Sequence, residues 1–121
     1  FAGNYIITTD AEQNRNLLSV KKVLEYISIH YREPLSVKEL SGISNYSEFY
    51  FMKLFKQYTG KTAAAYLNDY RLEKAKSLLL HTDNSVTDIA TEVGFNNTSY
   101  FIKKFQEANQ ISPHKFRKKM S

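Results

Sequence analysis

Cysteine and tryptophan are absent from the 121 residues, and glycine and proline are scarce, at four and two. Without cysteine there can be no disulfide, no thiolate-bound zinc or iron–sulfur cluster and no thiol nucleophile. Four glycines leave no glycine-rich loop to cradle a nucleotide phosphate. No apolar run approaches the roughly 18 residues that span a bilayer, and the first residues carry no basic stretch leading into an apolar one, so neither an anchor nor a signal peptide is expected. The chain begins at Phe1 rather than Met, which fits a piece of something longer. These absences, with hydrophobic residues at 42%, point to a soluble cytoplasmic domain with its own core.

The charge is unevenly placed. Residues 1–102 carry 11 basic and 11 acidic side chains, so the net charge of +5 sits in the last nineteen residues, on Lys103, Lys104, Lys115, Arg117, Lys118 and Lys119 against Glu107 alone. A polyanion is the natural partner for such a patch. A basic tail that serves only solubility is the competing reading.

Apolar periodicity is helical almost throughout. Residues 1–15 show no helical period and read as a linker or domain edge. Leu17, Val20, Leu24, Ile27 and Tyr31 then form one stripe on a helix that must stop before Pro34. Ser36–Glu39 reads as a capping box opening a short helix that ends near Gly42. Ser47 is the next N-cap, and Phe51, Leu54, Phe55 and Tyr58 mark the buried face of a third helix that Gly60 closes. Thr62 caps a linker helix over 62–81, with Tyr66, Leu67, Tyr70, Ala75, Leu78 and Leu79 along one side.

The pattern then recurs. Ser85-Val86-Thr87-Asp88 echoes Ser36-Val37-Lys38-Glu39 at an offset of 49, and Tyr100, Phe101 and Phe105 echo Tyr50, Phe51 and Phe55 at an offset of 50, with Asn97 in the cap role of Ser47. Ser112-Pro113 opens a last helix over 112–119. The expectation is an all-α fold of seven helices, in which two homeodomain-like helix-turn-helix subdomains, over 36–60 and 85–109, are joined by a long linker helix.

The outward faces suggest what the duplication does. With the phenylalanines inside, Phe49, Met52, Lys53 and Lys56 face away from the core in the first copy, as do Thr98, Ser99, Ile102 and Lys103 in the second. Large apolar groups left in water need a partner, and thymine methyls and sugar edges in a DNA major groove supply one, while the lysines suit phosphates. Together with the caps Ser47 and Asn97, these eight residues form the candidate DNA-binding set. A linker helix of about 28 Å is commensurate with the spacing of about 34 Å between successive major-groove segments, so one chain could place its two motifs in adjacent grooves. The alternative is a helical protein-interaction module that docks a partner on Phe49, Met52 and Ile102.

The stretch from Leu17 to Phe116, about four-fifths of the chain, resembles the DNA-binding domain of the AraC/XylS family of bacterial transcription regulators. The second copy carries the family's signature in Ile89-Ala90, Val93-Gly94-Phe95, Ser99-Tyr100-Phe101, Phe105, Ser112-Pro113 and Phe116-Arg117. The first copy matches through Val37, Leu40, Ser47, Leu54-Phe55-Lys56 and Thr59-Gly60, and the linker helix through Tyr66-Leu67, Arg71-Leu72, Ala75 and Leu78-Leu79. The resemblance implies that residues 16–121 form an AraC-type domain that binds double-stranded DNA and regulates transcription, as an activator. It also implies RNA polymerase as a partner, and an effector or receiver domain elsewhere in a longer chain. Departures fall on the first motif, where Ser41-Gly42 replaces an alanine and a helix-former and Met52-Lys53 replaces the more frequent Ser-Arg. Lysine offers a point charge where arginine would offer guanine a two-pronged donor, so bidentate readout should be sparse.

Other residues read as structural. Arg71 falls on the buried stripe of the linker helix, where a guanidinium needs an ion pair or a carbonyl to cap. His30, His81 and His114 are scattered without ligand spacing and no nucleophile stands beside a base, so neither a metal, a cofactor nor an enzymatic activity is expected. Gly94 should supply a positive φ in the turn of the second motif. The aromatic cluster of Tyr46, Tyr50, Tyr58, Tyr100, Phe101 and Phe105 is expected to be core.

Overall fold

Thr9 and Glu12 cap each other: the Thr9 hydroxyl accepts from the Glu12 amide at 3.2 Å, and the Glu12 carboxylate accepts from the Thr9 hydroxyl at 3.0 Å. Helix α1 therefore begins at Asp10 and runs to His30. The computed structural model describes residues 9–120. The expectation that no helix begins within residues 1–15 is thus corrected for residues 10–15, while residues 1–8 lie outside the described residues.

Six further helices follow: α2 (Val37–Ser44), α3 (Glu48–Thr59), α4 (Ala63–His81), α5 (Val86–Glu92), α6 (Thr98–Asn109) and α7 (Pro113–Met120). No strand occurs among the described residues, so the all-α reading with seven helices holds. None of these helices is long and apolar enough to cross a membrane.

The described residues divide into two compact units, one built from 9–30 with 35–66, the other from 31–34 with 67–120. In the first, α1 packs on α2 and α3, and the core consists of Val20, Val23, Ile27, Leu40, Phe51, Leu54 and Phe55. Tyr66, in the first turn of α4, meets the Phe55 ring edge-on at 5.6 Å. The buried stripe of α1 is Asn16, Val20, Val23 and Ile27, a rotation away from the one expected: Leu17 is 41% exposed and Leu24 half-buried. Glu39 also departs from its expected role. Ser36 accepts from the Glu39 amide at 3.0 Å, but the Glu39 carboxylate accepts from the Tyr26 hydroxyl at 2.6 Å. Helix α2 passes through Gly42 to Ser44 and is capped by Asn45, which takes the left-handed conformation at φ 65°.

In the second unit α6 packs on α5 and α7. Its core gathers Leu72, Ala75, Leu79, Ile89, Ala90, Val93, Phe95, Phe101, Phe105 and Phe116, with Phe101 and Phe105 5.9 Å apart and Phe116 edge-on to Phe105 at 5.5 Å. Arg117 caps the end of α4, donating to the carbonyls of Leu79 at 3.0 Å and Thr82 at 3.1 Å. That takes one basic side chain out of the C-terminal patch and sets it to structural work.

Candidate nucleic-acid interface

Helices α3 and α6 are built alike. Each is 12 residues long. The Ser47 hydroxyl accepts from the Tyr50 amide at 3.2 Å, and the Asn97 side-chain carbonyl accepts from the Tyr100 amide at 2.8 Å, so both helices start where the short polar side chains dictate. They end on a left-handed residue, Gly60 at φ 78° in α3 and Gln110 at φ 62° in α6. Glycine adopts that conformation freely; Gln110 does so against its preference, with its backbone N–H bonded to the Gln106 carbonyl at 2.8 Å.

One face of each helix is locked inside by its phenylalanines, and that fixes what the other presents. On α3 the open face carries Phe49, 69% exposed, and Met52, 50% exposed, with Lys53 and Lys56 also exposed. The Lys53 ammonium lies 4.6 Å from the centre of the Phe49 ring, so a cation and an aromatic face form one exposed unit. On α6, Ser99 and Lys103 are exposed, as are the caps Ser47 and Asn97, whereas Thr98 and Ile102 are half-buried. The expectation that Ile102 stands fully outward is therefore corrected. Lys104 is engaged within its own helix, 3.4 Å from the Glu107 carboxylate and 5.6 Å from the Tyr100 ring centre. The expected set is thus divided between two units, with Ser47, Phe49, Met52, Lys53 and Lys56 in the first and Asn97, Thr98, Ser99, Ile102 and Lys103 in the second.

Behind α6, Arg71 lies against the turn that joins it to α5 and caps the 31–34 segment. Its Nε donates to the Tyr31 carbonyl at 2.7 Å and an Nη donates to the Glu33 carbonyl at 2.7 Å, and its guanidinium carbon lies 5.8 Å from the Phe95 ring centre. This is the expected carbonyl cap. Burial lowers the pKa of Arg71 from its ordinary value, because the charged form loses water, and the two carbonyls compensate that loss. Gly94, at φ 107°, makes the turn.

Sequence periodicity missed Asn16. Its amide accepts from the Tyr46 hydroxyl at 2.6 Å and donates to the Tyr50 hydroxyl at 3.2 Å, tying α1 to the turn and first coil of α3. A polar residue at the three-and-four spacing of Val20 and Val23 was the available signal. The expected core role of the aromatic cluster holds for Phe101 and Phe105, while Tyr46, Tyr50 and Tyr58 are half-buried and Tyr100 is exposed. Among the described residues no group of His, Asp or Glu side chains is placed to hold a metal ion.

Residues 40–119 match the helix-turn-helix domain family. The regulatory protein PocR of Salmonella typhimurium is 37% identical over 102 residues, which cover 84% of this chain and 34% of that protein. The chain thus spans only part of the curated relatives it matches, about a third of the length of PocR and about a seventh of the length of regulators from Staphylococcus aureus. Among solved structures, the C-terminal domain of the two-component response regulator yesN from Fusobacterium nucleatum is 35% identical, with a TM-score of 0.77 over 80% of this chain and 95% of that one. The DNA-binding domain of AdpA, a global transcriptional factor solved with a target DNA, is 25% identical, with a TM-score of 0.81 over 84% of this chain and 91% of that one.

Proposed function

Because the chain belongs to the AraC-type family of DNA-binding transcription regulators, proteins that act by binding DNA and not as enzymes, we propose that α3 and α6 are its two recognition helices, each entering a major groove of one DNA site. The observation that carries this reading is the repetition. Two 12-residue helices each bury a pair of phenylalanines on one side and leave at least one lysine with apolar or hydroxyl groups on the other.

Chemistry divides the roles. Phe49 and Met52 suit thymine methyls and sugar edges, with Ile102 contributing what its half-buried side chain leaves exposed. Thr98 and Ser99 have hydroxyls that can accept or donate at base edges. Lys53, Lys56 and Lys103 neutralise phosphates, and the free amides at the capped starts of α3 and α6, behind Ser47 and Asn97, face an anion favourably. Transcription is regulated through this contact, as activation by recruitment of RNA polymerase, in the cytoplasm. An effector or receiver domain in the full-length protein governs it.

Selection from a random duplex library, followed by interference mapping with DNA methylated at guanine N7 in the major groove and at adenine N3 in the minor groove, tests the reading. Two patches of major-groove interference are expected, one for each recognition helix, and their spacing reads out whether the two take adjacent groove segments. No enrichment, or interference confined to the minor groove, would overturn it.

A further inference from the structure

The two units share a second device that lies outside the recognition faces. In the first, the Asn16 amide on α1 donates to the Tyr50 hydroxyl at 3.2 Å. In the second, the Asn68 amide on α4 donates to the Tyr100 hydroxyl at 3.2 Å. Each tyrosine is the third residue of its recognition helix, and each asparagine stands on the helix that precedes its motif. The offset is 50 residues for the tyrosines and 52 for the asparagines. The second pair is therefore the same contact rebuilt in a different register.

A phenol oxygen that accepts an amide N–H keeps its own proton for another acceptor. Neither tyrosine finds that acceptor among the described residues. The Tyr46 hydroxyl, next to Tyr50, does find one in the Asn16 side-chain carbonyl at 2.6 Å, and the two rings meet edge-on at 4.9 Å. Tyr100 is 44% exposed. At 3.6 residues per turn, Tyr50 points about 100° round the helix from Phe49, on the flank of the recognition face and not at its centre. The flank of a helix lying in a groove meets the groove wall, and the wall is phosphate.

We propose that Tyr50 and Tyr100 each donate a hydroxyl proton to a DNA phosphate beside the groove that their helix enters, and that Asn16 and Asn68 are positioning residues that turn those hydroxyls outward. The inference rests on α3 and α6 being the recognition helices. It adds to the lysines a pair of neutral, directional contacts that fix how far each helix rotates in its groove. A lysine on a flexible stem does not fix that rotation.

The test uses this chain and its best selected duplex. Tyr50→Phe and Tyr100→Phe should each weaken binding about tenfold, as for a hydrogen bond to a charged acceptor. They should leave the slope of log affinity against log salt unchanged, because a neutral hydroxyl releases no counterion. Replacing one phosphate at a time by a methylphosphonate should find, for each tyrosine, a position that costs the wild type more than the matching variant. Asn68→Leu should weaken binding a few-fold with Tyr100 present and not at all in Tyr100→Phe. Asn16→Leu also strips Tyr46 of its acceptor, so if circular dichroism shows that it unfolds, Asn68 alone decides the positioning role. Wild-type affinity in both phenylalanine variants, or an Asn68→Leu loss that persists without the Tyr100 hydroxyl, would overturn the proposal. If Lys53→Ala and Lys103→Ala weaken binding while the tyrosine variants do not, the recognition helices stand and this inference alone falls. If none of the four weakens it, both fall.

Discussion

A methyl group at position 94 would lie 2.7 Å from Arg71 Nε and 2.7 Å from the Tyr31 carbonyl oxygen, the two atoms that are themselves hydrogen-bonded at 2.7 Å. Gly94 is thus required twice, once for its φ of 107° and once because the Arg71–Tyr31 contact occupies the space any side chain would need. The turn leading into α6 and the cap on the 31–34 segment are a single packed arrangement.

Gly94→Ala should therefore destabilise the chain by about 2–4 kcal/mol, combining left-handed strain with displacement of a backbone carbonyl that cannot swing aside. Urea denaturation followed by circular dichroism reads the loss. A cost under about 1 kcal/mol would show that the turn relaxes freely.

Arg71→Lys tests the same arrangement from the other side. Lysine keeps the charge but has one ammonium where the guanidinium serves two carbonyls at 2.7 Å each. It should recover less than half of the loss caused by Arg71→Ala, itself about 3 kcal/mol for an abandoned pair of charge-assisted bonds. Equal stability of the wild type and the Arg71→Lys variant in urea would mean that charge alone matters there.

Phe49→Ala should weaken DNA binding about tenfold while leaving the stability within about 0.5 kcal/mol of wild type, because a ring 69% exposed contributes little to the core. The loss should concentrate on sites with thymine in the first half-site. Replacing that thymine by uracil should cost the wild type more than the variant. Equal costs in both would remove Phe49 from methyl contact.

Sequence discrimination should be modest, since neither open face carries an arginine or a glutamine near its helix start. The ratio of affinities for the best site and for scrambled DNA at one salt concentration should stay below about 10⁴. A larger ratio would mean that direct base readout is stronger than these side chains account for.

The parts of this fold legible in the sequence are those fixed locally. Ser47 and Asn97 could be read as caps because the bond each makes spans three residues. Phe51, Phe55, Phe101 and Phe105 could be read as core because two large rings at i and i+4 can share only one face. Even the start of α1 was written locally, in the Thr9–Glu12 box, although the absence of an apolar period there hid it. Asn16 was not legible in this way. Its burial in place of Leu17 is set by the hydroxyls of Tyr46 and Tyr50, which lie 30 and 34 residues away. The diversion of Arg117 to the end of α4 is likewise decided by contacts far along the chain, 38 and 35 residues away. At the candidate interface the open faces of α3 and α6 followed from helical spacing, while the Asn–Tyr pairs behind them needed the fold.

Whether α3 and α6 hold the DNA is decided by the salt dependence of affinity in the wild type, Lys53→Ala and Lys103→Ala. The wild-type affinity for its selected duplex should fall steeply as salt rises, and each variant should show a weaker affinity with a slope of log affinity against log salt smaller by about 0.9. A wild-type affinity insensitive to salt, or variants that keep the full slope, would contradict the assignment of α3 and α6 to the DNA.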